Sequence, residues 1–256
     1  MPNTPVAWLP ETLIPSTSSG TDADSHVVQL SNGNVLIVWT AFDDGDYDVW
    51  GRILDPFGNV VSAELYLGET DNADDFPAVA ALPDGGFLIA HEVDTGSFDD
   101  IRVRQFDADG VQEALAYAFF DGSSGVPNGF VPEIAVSSST SAMVIWSQQE
   151  SATESDVYAR IWNSDTESFT GAATLILGGG SVTTYPYIDI DVLSNGNYVV
   201  AAGRNNGTGD TDIVVRILSP TGANVLSITS IAGTAGDSEL DYDPSVTALA
   251  GGGFVV

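Results

Sequence analysis

Short apolar runs rich in Val and Ile alternate along the chain with clusters of Gly, Asn, Asp, Ser and Thr. No stretch of useful length repeats apolar residues at i, i+3, i+4 and i+7. This pattern predicts strands and turns throughout, an all-β chain. Four segments share one apolar form: NVLIVW (Asn34–Trp39), GFLIAH (Gly86–His91), SAMVIW (Ser141–Trp146) and NYVVAA (Asn197–Ala202). A fifth copy, GFVV, occupies residues 253–256, and successive copies start 52, 55, 56 and 56 residues apart. Each follows a turn such as SNGN or PDGG, in which Gly and Asn supply the positive φ that two-residue hairpins require. Each turn is preceded by another short strand, and Pro77, Pro132, Pro186 and Pro244 open four of the five units, where a strand can begin without losing a ladder bond.

A second motif follows each hairpin. Asp48/Arg52, Asp100/Arg104, Asp156/Arg160 and Asp212/Arg216 all read Asp-[Val/Ile]-x-x-Arg. A turn and a fourth apolar strand come next. The unit is therefore four antiparallel strands (A, B, C and D in order), which is the unit of a β-propeller blade. A solenoid is the alternative, but its coils carry fewer strands. The expected architecture is a propeller-like array of four complete units, about 25–76, 77–131, 132–185 and 186–243. A partial fifth spans 244–256, and residues 1–24 supply an outer strand. Because the last unit stops inside strand B, the chain reads as a fragment of a longer repeat protein, or as a fifth blade closed imperfectly by the N-terminal strand.

Composition narrows the function. The 256 residues carry 36 acidic and 6 basic side chains, every basic one an Arg, for a net charge of −30. Phosphate backbones and anionic membranes need cations facing them, so nucleic acid and membrane surfaces are excluded as partners. No apolar run approaches the roughly 18 residues of a membrane span. Without Cys there are no disulfides, thiolate metal sites or Cys nucleophiles, and two His leave little for a His-rich metal site. A 43% hydrophobic content separates the chain from disordered acidic sequences.

In each Asp-x-x-x-Arg motif the two side chains share one strand face. The reading is a structural staple, with Asp48, Arg52, Asp100, Arg104, Asp156, Arg160, Asp212 and Arg216 mostly buried and holding blade geometry. The B–C and D–A connections fall on one rim and carry most of the acid. Asp43, Asp44, Asp46 and Asp48, then Asp71, Asp74 and Asp75, are the candidate Ca2+ ligands, since calcium takes six to eight oxygens; otherwise no cofactor is expected. Trp39, Trp146, Phe87 and His91, all in strand B, read as packing residues.

Gly85-Gly86-Phe87-Leu88-Ile89-Ala90 and Gly252-Gly253-Phe254-Val255-Val256 resemble the first half of the repeat GGFVVAW…D-(V/I)-Y-A-x-R-F-D-x-x-G. Asp156-Val157-Tyr158-Ala159-Arg160 and Arg104-Gln105-Phe106-Asp107-Ala108-Asp109-Gly110 resemble its second half. Such repeats occur in large secreted bacterial proteins of the RTX or haemolysin-type class, adhesins among them. The resemblance implies export by a route without an N-terminal signal peptide, a cell-surface or extracellular location, and further repeats of the same chain. The expectation is thus a non-catalytic segment serving adhesion through a protein or glycan ligand. The alternative is a carbohydrate-active propeller enzyme of glycosidase or sialidase-like type, which would show converging carboxylates in a pocket on one rim.

Overall fold

The structure is a computed structural model that describes residues 13–15, 21–43, 45–68, 73–96, 99–114, 117–118, 129–207, 211–232, 241 and 243–256. All regular elements among them are strands. Blade 1 is β1 (Asp22–Gln29), β2 (Val35–Asp43), β3 (Asp46–Leu54) and β4 (Leu65–Tyr66). Blade 2 is β5 (Asp74–Ala81), β6 (Phe87–Asp94), β7 (Asp99–Phe106) and β8 (Tyr117–Ala118). Blade 3 is β9 (Gly129–Ser138), β10 (Ser141–Ser151), β11 (Glu154–Asn163) and β12 (Ser168–Leu177). Blade 4 is β13 (Thr184–Val192), β14 (Tyr198–Asn205), β15 (Thr211–Leu218) and β16 (Asn224–Ala232). A hairpin of β17 (Thr247–Ala248) and β18 (Phe254–Val255) follows. Each blade is a four-stranded antiparallel meander in sequence order, so the chain is an all-β, propeller-like array of four-stranded blades. No strand pairing joins one blade to another among the described residues.

The core lies between blades rather than inside any one of them. One cluster packs Leu36, Val38 and Val49 of blade 1 on Phe87 and Ile89 of blade 2. A second joins Leu88 and Val103 to Val144 and Trp162 of blade 3. A third joins Met143 and Val157 to Tyr198 and Val214 of blade 4, and a smaller one sets Val199 and Val215 against Val246. This explains why strand B is apolar on both faces in blades 2 to 4: each face meets a different neighbour. Burying one such Val or Leu fully contributes about 1.5–3 kcal/mol. Trp39, Phe87, His91 and Trp146 are all buried here.

The turns correct one sequence expectation. Leu30, Leu82, Leu193 and Leu249 each accept from the glycine three residues on and donate to the carbonyl four residues on. Gly33, Gly85, Gly196 and Gly252 hold φ between 82° and 112°. This is a type I turn closed by a left-handed glycine, not a two-residue hairpin. The same device closes the C–D turns at Gly58, Gly110 and Gly222.

The prolines also sit differently from the expectation. Pro77, Pro132 and Pro186 lie inside β5, β9 and β13, at a β-bulge where two residues face one across the hairpin. Blade 1 carries the same bulge without a proline, between Ala23 and His26. Bulges tolerate proline because their extra residue leaves the ladder anyway. In blades 1 to 3 the single residue facing the bulge is Trp39, His91 or Trp146.

Candidate active site at the axis

The first strands of the blades converge. Asp24 and His26 of β1, Phe76 of β5, Val131 and Glu133 of β9, Tyr187 of β13 and Asp243 line one pocket of about 390 Å³. The bulges put these side chains there. A bulge re-aims the strand beside it, and here four bulges sit at the same end of four inner strands. Their backbone is strained accordingly: Asp24, Phe76 and Val131 adopt φ of 47°, 48° and 47°, and Asp243 before Pro244 adopts 59°. For a β-branched residue such as Val131 a left-handed φ is a true outlier. Such strain costs on the order of 1–3 kcal/mol and gathers where a site must be held in shape.

The electrostatics follow from burial among like charges. Glu133 is half-buried with Asp189 nearby, and desolvation first, then that charge, pushes its carboxyl up to about 8. It therefore holds a proton at neutral pH. Burial and then the charge of Asp75 raise Asp24 above the ordinary carboxylate value. Burial holds His26 below its ordinary value, against the opposing pull of Asp189 and Asp24. Asp189 is fixed by accepting from Ser245 Oγ at 3.0 Å and the Val246 amide at 2.6 Å. Phe76 and Tyr187 keep 38% and 41% of their surface open, so aromatic faces are available in the pocket. No arginine lines it.

The sequence-predicted residues lie elsewhere. Asp43 pairs with Asp46 at the β2–β3 turn, Asp46 accepts from the Tyr47 amide, and Asp48 accepts from the Tyr66 hydroxyl at 2.8 Å. Asp44 and Asp71 lie outside the described residues. Asp74 is fully buried, 3.4 Å from Nδ1 of the equally buried His91. Its neighbour Asp75 accepts from the Phe76 amide, and successive strand residues point to opposite faces. Among the described residues, no three acidic or histidine side chains gather as a metal cluster.

The four motif arginines are half-buried rather than buried. Arg104 of blade 2 donates to Leu67 O at 2.8 Å and to Gly68 O, both in blade 1. Arg216 of blade 4 donates to Ile176 O of blade 3, and Arg52 to Ile14 O. Ile14 thus presents its carbonyl to Arg52 as the end of a preceding blade does to Arg104 and Arg216. Arg160 instead donates to Gly171 O of its own blade at 2.8 Å and lies over the Phe169 ring. The motif aspartates are buried or half-buried at the other end of strand C. Asp156 accepts from the Gly179 amide, Asp212 pairs with Arg204 at 2.8 Å, and Asp100 lies 3.9 Å from Arg102.

Glu133, Asp24, His26 and Tyr187 were missed by the sequence reading. A signal existed: after the bulge position the units carry His26, Ala78, Glu133, Tyr187 and Ser245. The repeat holds its frame around that slot and varies its chemistry within it.

No protein-family model matches the chain, and no curated protein matches it. Solved structures do. An α-L-arabinanase from Penicillium chrysogenum, complexed with arabinobiose, superposes with a TM-score of 0.64 at 15% identity over 88% of this chain and 70% of its own. The α-L-arabinofuranosidase Arb93A from Fusarium graminearum, bound to an iminosugar inhibitor, gives 0.55 at 12% identity over 86% and 68%. A glycosyl hydrolase from Bacteroides ovatus gives 0.55 at 12% over 82% and 70%. These likenesses establish the propeller fold. They also correct the expected non-catalytic adhesion role: these neighbours are carbohydrate-active enzymes rather than adhesins.

Proposed function

We propose that the chain is a propeller glycosidase acting on neutral glycans at the axial pocket. The observation that carries this reading is a protonated carboxyl, Glu133, sharing an open axial pocket with other carboxylates. Glycoside hydrolysis uses two carboxyl groups, one giving a proton to the departing oxygen and one activating water or attacking carbon. Glu133, which keeps its proton near neutral pH, serves as the acid. Asp24 of β1, which lines the same pocket, serves as the second carboxylate. Phe76 and Tyr187 offer flat apolar faces to a sugar ring. The absence of arginine from the pocket lining, in a chain of net charge −30, argues against sialic acids and uronates and for an uncharged sugar. The carbohydrate-active neighbours support a glycan as the substrate.

The test is release of reducing sugar from neutral polysaccharides and arabino-oligosaccharides. A general acid is worth about 10²–10⁴ in rate, so Glu133→Gln should lose at least about a hundredfold while the melting temperature holds. Asp24→Asn should lose a comparable factor. Wild-type activity should fall as pH rises through about 8, where Glu133 gives up its proton. Full activity in Glu133→Gln, or no hydrolysis of any neutral glycan, would remove this reading.

A further inference from the structure

The residue that faces each bulge is a tryptophan in blades 1 and 3, Trp39 and Trp146, and a titratable side chain in blades 2 and 4, His91 and Arg204. The lining of the axial pocket divides along the same line. Its Asp24, His26 and Glu133 come from blades 1 and 3, whereas its two aromatic faces, Phe76 and Tyr187, come from blades 2 and 4. A buried tryptophan holds its bulge by filling space. His91 is smaller and works through a partner, since it and Asp74 are both fully buried and lie side by side.

Asp74 opens β5, two residues before the strained Phe76. Its Oδ1 lies 3.4 Å from Nδ1 of His91. That nitrogen is also 3.3 Å from the Glu92 carbonyl oxygen. Both neighbours are acceptors, so Nδ1 carries the hydrogen. Asp74 Oδ2 fills the space beside Gly68 of blade 1, 2.3 Å from where a Cβ on that glycine would stand. The Gly68 carbonyl in turn accepts from Arg104 of blade 2. The carboxylate is therefore enclosed on the blade 1 side and held on the blade 2 side. A carboxylate out of water stays with its partner, because leaving it costs desolvation with nothing in return. His91 is also the single residue across the hairpin from Phe76 and Pro77. Its ring fixes the strand just before the bulge, and its backbone faces the bulge itself.

We propose that His91 is a positioning residue of the axial pocket: through Asp74 it holds the bulge that presents the Phe76 ring to the sugar. The inference rests on the glycosidase reading and adds to it a residue that touches no substrate. Arg204, paired with Asp212 at 2.8 Å, stands in the equivalent place in the blade that carries Tyr187.

The experiment is steady-state hydrolysis of a neutral glycan that the wild-type chain cleaves, with each chain assayed below its own unfolding transition. An aromatic wall meets ground state and transition state alike, so misplacing it raises KM and spares kcat. His91→Leu should raise KM about three- to tenfold, the factor that one aromatic contact is worth. Its kcat should stay within about twofold of wild type. Phe76→Ala should raise KM by a similar factor. Adding His91→Leu to Phe76→Ala should raise it no further, because residues that act as one unit are not additive. Gly68→Ala displaces Asp74 from the other side with His91 intact. It should raise KM as His91→Leu does, and it carries the test if His91→Leu does not fold. A wild-type KM in folded His91→Leu or Gly68→Ala chains would overturn the positioning role while the axial reading stands. So would effects of His91→Leu and Phe76→Ala that multiply in the double variant. No hydrolysis of any neutral glycan by the wild-type chain would overturn both.

Discussion

At the scale of single residues, this chain repeats structural residues and varies chemical ones. Arg52, Arg104 and Arg216 do one job three times: each reaches across to a carbonyl on a preceding segment. An arginine suits this because its planar fork presents several donors at fixed angles, and a lysine has only a point charge to offer. A hydrogen bond from a charged group contributes about 1.5–3 kcal/mol. Arg104→Ala should therefore lower the unfolding free energy by roughly that amount, and Arg104→Lys should recover less than half of it. Urea titrations of the three chains would decide, and an unchanged midpoint in Arg104→Ala would discard the staple. Val131 makes the opposite case. Its φ of 47° is strained for a branched side chain, so Val131→Gly should leave stability unchanged or slightly raised. The buried Val144, at the core between blades 2 and 3, should lose several kcal/mol on the same substitution, about what large-to-small changes in a core cost. If both substitutions cost the same, the strain at the bulge is not real.

At the scale of strands and turns, much of the blade was legible in the sequence. The 52–56-residue spacing of the apolar strand, the glycine turns and the Asp-x-x-x-Arg motif give four strands per unit and their order, as the sheets show. The reason is physical: a strand buried on both faces must be apolar at every position, and a turn with positive φ must carry glycine. The bulges were less visible. Their prolines read as strand starts, because sequence alone does not say how far a strand continues before a proline. Only the pairing of Phe76 and Pro77 against His91 reveals the extra residue. The site was less visible still, for the same reason. Glu133 is one acid among 36, and only a comparison of the slot after the proline from unit to unit marks it as the one that a bulge carries to the axis. The aspartate runs at 43–48 and 71–75 attracted attention by number alone, whereas the structure spends Asp48 on Tyr66 and Asp74 on His91. The turns supply their own check. At Gly85, with φ of 112°, the nearest heavy atoms to an added Cβ are 3.5 Å away, so backbone strain alone opposes a side chain. Gly85→Ala should cost about 1 kcal/mol, in the range set for strained left-handed residues. Gly86→Ala should cost more, because its Cβ would lie 2.3 Å from the Phe106 carbonyl oxygen. Equal melting temperatures for the two chains would contradict the turn geometry.

At the scale of the whole molecule, charge and burial pull in one direction. A net charge of −30 is self-repulsive, and the carboxyls near the axis meet both that repulsion and desolvation. Glu133 and Glu92 are pushed up to about 8 in the fold, whereas in the unfolded chain they titrate near the ordinary glutamate value of about 4.3. Between those limits the native state holds more protons than the unfolded state, so unfolding free energy falls as pH rises. Their contribution is fully present below about 4.3 and is lost as pH climbs through about 8. His26 acts in the opposite sense: its folded value is depressed by burial, so below its unfolded value of about 6.5 it favours the unfolded chain. The clean window is therefore from pH 8.5 down to 6.5, where the glutamates gain protons and His26 does not yet oppose them. At constant ionic strength the melting temperature should rise by several degrees across that window. The slope should flatten in a Glu92→Gln, Glu133→Gln double variant, and above pH 8 that variant should melt higher than wild type, because it carries two fewer half-buried charges. A melting temperature that is flat from 8.5 to 6.5, or a double variant with the wild-type slope, would show that neither glutamate holds its proton in the fold. The acid assigned to the axial pocket would then have no proton to give.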